Sequence, residues 1–223
     1  MSTIPGFDIH AAPPVTSDEA VQALRGLAVS NISDVMQRSR TTGALRLFAL
    51  PTARLCGPAL TVRLAVGDHL MFHKALDLAQ PGQVIVVDAQ GFLEAAMAGE
   101  IMSRYAISRG IAGFVIDGAI RDLDFIGSHD FPVYARGVTP RGPTRRGPGE
   151  IHLSVQVGGM VVAPGDILCG DLDGLVSVPP DAARAVAEQV HALQKKEAAS
   201  IAAIAAGTLD RRWVDDALKT NKP

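Results

Sequence analysis

Short apolar runs alternate with segments of helical character through the first half of the chain. The apolar runs have the length of strands buried inside a sheet, and they cover residues 60–66, 83–88, 114–117 and 132–136. Ser17 can cap a first helix, and further helical segments cover residues 32–38, 70–79 and 94–108. This alternation predicts an α/β sheet with helices packed against it.

The pattern changes after residue 136. Glycine and proline repeatedly interrupt residues 137–149, which therefore form one irregular loop. Short strands joined by tight turns follow at residues 151–157, 160–162, 167–169 and 175–178. A long Ala-rich helix over residues 181–206 and an amphipathic helix over residues 208–218 end the pattern.

These segments predict a single α/β domain whose mixed, curved sheet is flanked by helices. Residues 1–16 are polar and rich in proline, and we expect them to be loosely ordered. Residues 17–180 form the domain itself. Residues 181–223 form C-terminal helices that pack on the domain or on a neighbouring subunit.

The net charge, the apolar runs and the cysteines limit the partners and the compartment that we expect for the protein. The net charge is −2, with 21 basic and 23 acidic residues, so no bulk field favours nucleic acid or a membrane surface. The sequence shows neither a signal peptide nor an apolar run of transmembrane length, and we predict a cytoplasmic protein. Cys56 and Cys169 have no metal or redox spacing and are expected to be small buried side chains of a reducing compartment.

Polar groups directly after buried strands are candidates for chemistry, because ligand sites lie at the carboxyl ends of strands in α/β sheets. Arg121 and Asp122 follow one such strand. A guanidinium can bind a carboxylate through two hydrogen bonds, and an aspartate can bind Mg²⁺ or Mn²⁺. The alternative is that the two residues cap a helix and form surface ion pairs. Glu100, behind Gly99, is either exposed or recruited to a site.

Arginine and histidine supply further candidates. Four arginines, at positions 136, 141, 145 and 146, belong to the segment around the Gly- and Pro-rich loop and can bind acidic substrates. The loop has no interleaved aromatic residues, which argues against single-stranded nucleic acid. His69 and His73 share helical i,i+4 spacing but lack the glutamate of a zinc-protease helix, so we interpret them as structural.

Several segments together resemble a known family. GIAGFVIDGAIRD, FPVYARGVTPRGP and GGMVVAPGDILCGDLDGLVSVP, in this order and spacing, are similar to the regulator of ribonuclease activity A (RraA) proteins. Enzymatic members of the family are 4-hydroxy-4-methyl-2-oxoglutarate aldolases, which are class II pyruvate aldolases that also decarboxylate oxaloacetate. The resemblance runs from about Val29 to Val178 and implies an RraA-like fold of the swivelling β/β/α type.

The resemblance also implies roles for individual residues. Glu100 is followed by twenty residues and then by Arg121 and Asp122, which is the pattern of the enzymes. It implies that Asp122 binds Mg²⁺ or Mn²⁺, that Arg121 binds the pyruvyl oxygens, and that Glu100 orients a metal-held water that moves protons. The substrate carboxylate would be held by the backbone amides of Gly99, Glu100, Ile101 and Met102. The family often has an acidic residue at the position of Phe125, and this departure affects the groups around the metal waters.

The implied reaction is retro-aldol cleavage of 4-hydroxy-2-oxo acids to pyruvate through a metal-stabilised enolate. The same enolate arises when oxaloacetate loses its 4-carboxylate. Relatives form homotrimers or homohexamers with the site at a subunit interface, and Glu197 lies where a glutamate reaches across from the neighbouring chain. The alternative is a non-catalytic protein that binds and inhibits an RNA-processing enzyme.

Overall fold

The computed structural model describes residues 6–220, which contain seven α-helices and eleven strands. The helices are α1 Asp18–Leu24, α2 Val29–Val35, α3 Leu70–Leu78, α4 Glu100–Ser108, α5 Leu123–Ile126, α6 Ala183–Ala205 and α7 Arg212–Thr220. The strands are β1 Thr41–Thr42, β2 Arg46–Leu47, β3 Leu55–Leu64, β4 Val84–Ala98, β5 Gly113–Ile120, β6 Val133–Val138, β7 Gly149–Ile151, β8 Val155–Val157, β9 Met160–Val162, β10 Ile167–Asp171 and β11 Gly174–Val178.

One mixed sheet of nine strands organises the molecule, as predicted. Its order is β1-β11-β10-β3-β4-β5-β6-β2, and β7 also pairs with β3. The four central strands, β3 to β6, are parallel to one another, whereas the pairs toward both edges are antiparallel. Strands β8 and β9 form a separate hairpin. The chain is thus a single α/β domain with a large mixed sheet and flanking helices.

Helices cover the sheet because their apolar faces have no other place to be buried. Helices α3, α4 and α5 pack on the parallel strands around Phe72, Phe114 and Phe125. A second core lies between β10–β11 and helices α1, α2 and α6, and a third lies beneath the β8–β9 hairpin. The side chain of Ser17 caps α1 as predicted, accepting a hydrogen bond from Ala20 N at 3.2 Å.

The predicted helix over residues 94–108 is wrong in its first part. Residues up to Ala98 continue strand β4, and the helix begins only at Glu100. Ala96 and Ala98 pair with Ala119 and Ile120 of β5, so sheet pairing outweighs the helical propensity of the Ala- and Met-rich sequence. Glu100 therefore lies in the first turn of a helix, at the carboxyl end of a strand.

The two ends of the chain differ in how closely they contact the rest of the domain. Residues 6–10 lie along β7, with Ile151 N donating to Asp8 O and His10 N donating to Ile151 O, both at 3.0 Å. Residues 1–5, which belong to the segment predicted to be loosely ordered, lie outside the described residues. At the other end, only the first third of α6 is buried, and α7 has no buried residue. No helix among residues 6–220 is both long and apolar enough to cross a membrane.

Candidate active site

The candidate site lies where β4 and β5 end side by side. Ala98 is in register with Ile120 at the ends of the two strands, and the backbone N–H of Arg121 donates to Ala98 O at 3.0 Å. Helix α4 starts directly after β4, while Arg121 and Asp122 follow β5. The sheet register thus brings the amino end of a helix against the Arg-Asp dipeptide.

Asp122 has a left-handed backbone conformation, with φ 61° and ψ 48°, which aspartate tolerates better than most residues. This conformation directs its carboxylate to the start of α4, where Oδ2 accepts the Glu100 N–H at 2.9 Å. The Arg121 Nε atom lies 3.7 Å from the same Oδ2. The carboxylate is therefore held by a helix amide and lies beside a cation.

Gly99 is required by this close approach. A Cβ atom at residue 99 would collide with Asp122 Oδ2 and would lie 3.0 Å from Arg121 Cγ. The backbone of Gly99 is extended, so the glycine is needed for space and not for an unusual φ. The glycine that precedes Glu100 in the sequence therefore makes room for the aspartate carboxylate.

A small pocket of about 70 Å³ opens beside these groups. One wall is formed by Gly99, Ile101 and Met102, and another by Arg121 and Asp122. The backbone N–H groups of Ile101 and Met102 have no acceptor among residues 6–220. Unpaired amides at the amino end of a helix can bind an anion, and here they lie beside the pocket.

A third wall of the pocket was missed by the sequence analysis. His69, His73 and Arg145 line it, although the two histidines were interpreted as structural. His69 Nδ1 donates to Met97 O at 3.0 Å, which leaves His69 Nε2 to accept the Arg145 Nε–H at 3.1 Å. The i,i+4 spacing of the two histidines indicated that they share one face of a helix, but it did not show that this face lies against the candidate site.

The surroundings of both histidines favour the neutral form. Burial lowers the pKa of His69 and also the pKa of His73, and the nearby Arg145 cation lowers both further. The His73 Nε2 atom lies 3.2 Å from His69 Nε2. The rings therefore contribute hydrogen bonds to the pocket wall, while Arg145 contributes the positive charge.

Asp68 anchors the loop that carries Arg145. Its Oδ2 atom accepts hydrogen bonds from Thr144 Oγ1 and Arg146 N, both at 2.6 Å, and its Oδ1 atom accepts one from Leu70 N at 2.8 Å. Burial alone would raise the pKa of Asp68, but these hydrogen bonds outweigh it and lower the pKa. The carboxylate thereby ties the loop to the start of α3.

Two predicted site residues do not bring their side chains into this pocket. Glu100 contributes its backbone amide, but its side chain accepts a hydrogen bond from Arg104 Nε at 2.7 Å, on the outer face of α4. Glu197 accepts a hydrogen bond from Asn31 Nδ2 at 2.9 Å and does not line the pocket of its own chain.

The remaining candidates also have other partners. Arg136 pairs with Asp117, and Arg141 pairs with Glu94 at 2.8 Å. Phe125 is buried, and the guanidinium of Arg104 lies 4.2 Å above its ring. Of the four arginines around the loop, Arg145 is the one that lines the pocket.

The described residues offer few protein ligands for a metal. Residues 6–220 contain no group of three or more His, Cys, Asp or Glu side chains placed to hold an ion. Asp122 Oδ1 has no hydrogen-bond partner among these residues, and 41% of the Asp122 side chain is exposed. This donor set excludes a three- or four-ligand protein cage of the zinc type and fits a cation that keeps most of its water.

Comparisons with known proteins agree with the fold and the motifs. Residues 29–177 match the family model RraA-like, described as Aldolase/RraA. The chain is 43% identical over 126 residues to a protein of Halalkalibacterium halodurans named "Putative 4-hydroxy-4-methyl-2-oxoglutarate aldolase", a match that spans 56% of this chain and 60% of that relative.

Two solved structures are similar over most of their length. The RNA-processing inhibitor RraA from Thermus thermophilis has a TM-score of 0.63 and 31% identity, covering 68% of this chain and 92% of that one. Streptomyces coelicolor RraAS2, described as an unusual member of the RNase ES inhibitor RraA protein family, has a TM-score of 0.75 and 26% identity, covering 86% and 98%. The chain therefore belongs to the RraA-like family.

Proposed function

We propose that the protein is a divalent-metal-dependent lyase that cleaves 4-hydroxy-2-oxo acids to pyruvate by a retro-aldol reaction and also decarboxylates oxaloacetate. The observation that carries the proposal is the arrangement of Arg121, Asp122 and the free amides of α4 around one pocket. These groups supply a cation, a metal-binding oxygen and an anion-binding helix end within reach of one small molecule. The name of the Halalkalibacterium halodurans relative supports the same class of reaction.

Asp122 is the proposed direct ligand of Mg²⁺ or Mn²⁺. Its Oδ2 is fixed by the Glu100 N–H, and its Oδ1 is free for a cation. Mg²⁺ sites commonly use one or two protein carboxylates and complete the octahedron with water and substrate. When bound, the metal would polarise the 2-oxo group and stabilise negative charge on its oxygen.

The substrate carboxylate is bound, in this proposal, by the amides of the Gly99–Met102 turn. The N–H groups of Ile101 and Met102 are unpaired, and the positive end of the α4 dipole favours an anion there. Arg121 lines the same pocket and, in this proposal, donates to the pyruvyl oxygens. Its charge stabilises the enolate that forms when the bond between C3 and C4 breaks.

Glu100 is the proposed proton-transfer group, and it must leave Arg104 to take this role. The Glu100–Arg104 pair is an i,i+4 pair at the surface, with 42% of the Glu100 side chain exposed. Such pairs contribute only about 0.3–0.5 kcal/mol, so the side chain can rotate toward the site at little cost.

Arg145 is the proposed partner of a second substrate carboxylate. It lines the pocket together with Ile101 and Met102 of α4, and His69 Nε2 accepts its Nε–H and holds the guanidinium in place. This arrangement favours substrates with carboxylates at both ends, such as oxaloacetate and 4-carboxylated 2-oxo acids.

A neighbouring subunit completes the proposed site. Ile101 lines the pocket, and 81% of it is exposed in the single chain. We propose a homotrimer or homohexamer in which Glu197 of an adjacent copy reaches this mouth.

Pyruvate release tests the proposal. The purified protein is incubated with a panel of 4-hydroxy-2-oxo acids and with oxaloacetate, in Mg²⁺ and then in excess chelator. We expect pyruvate in the first condition and none above background in the second. Absence of pyruvate with every substrate would favour the alternative of a protein that inhibits an RNA-processing enzyme, which is how the similar Thermus and Streptomyces proteins are named.

A further inference from the structure

Two cysteines that are 113 positions apart in the sequence lie side by side in the sheet. Cys56 on β3 is in register with Cys169 on the antiparallel strand β10, and their Sγ atoms are 3.9 Å apart. Both side chains are buried and face the core formed by α1, α2 and α6. The pairing of the strands therefore creates a thiol pair that the sequence spacing did not indicate.

The position of these two residues in the antiparallel ladder brings their Cα atoms close together. Ala59 N donates to Asp166 O at 2.8 Å, which makes residues 59 and 166 a hydrogen-bonded pair of the ladder. Hydrogen-bonded and non-hydrogen-bonded pairs alternate along an antiparallel ladder. The pair Pro58–Ile167 is therefore non-hydrogen-bonded, and two residues further along the pair Cys56–Cys169 is non-hydrogen-bonded as well. Cα atoms of such pairs are about 4.5 Å apart, which lies within the range that a disulfide spans.

The two thiols have different electrostatic surroundings. The hydrogen bond from Cys169 lowers the pKa of Cys56 despite its burial, and the nearby Arg25 cation lowers it further. The pKa of Cys169 is raised by its hydrogen bond to Cys56 and by burial. Arg25 is placed for this effect, because its Nη2 atom lies 3.5 Å from Cys56 O. The position of Arg25 beside Cys56 therefore favours a thiolate on Cys56 over one on Cys169.

We propose that Cys56 and Cys169 are a reversible oxidation site that forms an intramolecular disulfide between β3 and β10, with a small peroxide as the oxidant. The Cys56 thiolate attacks one oxygen of hydrogen peroxide, the O–O bond breaks, and hydroxide leaves with Cys56 oxidised to the sulfenic acid. Cys169 sulfur then attacks Cys56 sulfur, the S–O bond breaks, and water leaves. Two thiols and one peroxide become one disulfide and two waters.

This site is separate from the proposed active site. Cys56 precedes Ala59, which pairs with Val84 at the start of β4, whereas Gly99 and Asp122 follow the ends of β4 and β5. The pair therefore lies toward the opposite end of the sheet. Its oxidation can be measured whether or not the protein cleaves 2-oxo acids.

Peptide mapping of the folded protein under non-reducing conditions is the test. The full chain is treated with hydrogen peroxide, quenched with an alkylating reagent, and digested, while circular dichroism verifies that it stays folded. We expect loss of both free thiols, a peptide linking Cys56 to Cys169, and recovery of both thiols with dithiothreitol. Two thiols that stay free in the folded protein, or that link only different chains, would overturn the proposal.

Single variants test the order of the two steps. Cys169→Ser should stop at a sulfenic acid on Cys56 that a dimedone probe labels, and Cys56→Ser should leave Cys169 unlabelled. Labelling of Cys169 in Cys56→Ser at the rate seen for Cys56 would contradict the assignment of Cys56 as the attacking thiol. The linked peptide of the unmodified sequence decides the proposal if either variant does not fold.

Discussion

At the scale of single residues, the site depends on how closely Gly99 and Asp122 approach one another. The left-handed backbone of Asp122 and the missing side chain of Gly99 together allow the carboxylate to accept the Glu100 N–H at 2.9 Å. The twenty-residue spacing between Glu100 and Arg121 spans one helix and one strand, so it brings two strand ends together. The position of Arg121 and Asp122 at a strand end was predictable from the sequence because they follow a buried apolar run, whereas the placement of Glu100 beside them was implied by the family resemblance.

Gly99→Ala should abolish catalysis without unfolding the protein. The added methyl group would occupy the place of Asp122 Oδ2, so the carboxylate must leave the α4 amide. We expect loss of pyruvate release with a retained circular dichroism spectrum. Gly43→Ala is the matched control, because its Cβ would meet only Asp173 O at 3.8 Å. Full activity in Gly99→Ala would show that the Asp122 geometry is unnecessary.

Arg145→Gln should weaken the use of substrates with two carboxylates. A hydrogen bond to a charged group contributes about 1.5–3 kcal/mol, which corresponds to a loss in kcat/KM of roughly 10- to 150-fold. Steady-state kinetics with oxaloacetate measures the loss. Arg141→Gln is the control, because Arg141 pairs with Glu94 at the surface and does not line the pocket. An equal loss of kcat/KM in both variants would show that Arg145 does not bind the substrate.

At the scale of elements, contacts between residues distant in the sequence determine element boundaries and loop positions that the local sequence pattern does not specify. Propensity predicted a helix from residue 94, but β5 extends β4 to Ala98 and delays the helix to Glu100. The His69–Arg145 contact was equally hidden, because it depends on how Asp68 folds a loop back from 76 residues away. Alternation of strands and helices was sufficient for the fold class, since it reflects burial along each element.

The Asp68 anchor predicts a pH dependence of stability. Its folded pKa is below its ordinary value of 3.8, so the charged carboxylate contributes stability that is present above the unfolded pKa and is lost as the pH falls through the folded pKa. Urea unfolding should show Asp68→Asn to be less stable by about 1–3 kcal/mol at pH 7, with a difference that shrinks below about pH 4.

Asp34→Asn is the control for this experiment. Asp34 is exposed and lies 3.9 Å from Arg38, so its replacement should have little effect at any pH. A constant difference between the original sequence and Asp68→Asn from pH 7 to pH 3 would contradict the anchoring role.

At the scale of the whole molecule, the pocket is open and the C-terminal helices extend from the domain. Glu197 lies on the exposed part of α6, and the apolar side chains of Ile201 and Ile204 that follow it are 66% and 60% exposed. These features agree with packing against another copy of the chain. The alternative for Glu197 is the structural contact with Asn31 that the single chain already shows.

Mixed oligomers separate these alternatives. Glu197→Ala and Asp122→Asn should each be inactive, but co-refolded mixtures should regain activity, because one interface can combine an intact Asp122 with an intact Glu197. Glu188→Ala, a change at another exposed glutamate of α6, should remain active alone. Failure to regain activity in mixtures shown to be mixed by mass spectrometry would exclude a site shared between chains.

Exchange of the C3 protons of pyruvate in heavy water tests the central claim most directly, because it reports enolate formation without needing the physiological substrate. Followed by NMR with Mg²⁺, exchange should be fast in the original sequence and in Asp124→Asn, whose exposed carboxylate is the control. It should fall to background with chelator or in Asp122→Asn, and Glu100→Gln should slow it by about 10²- to 10⁴-fold. Exchange that persists in chelator and in Asp122→Asn would contradict a metal-dependent lyase built on Asp122.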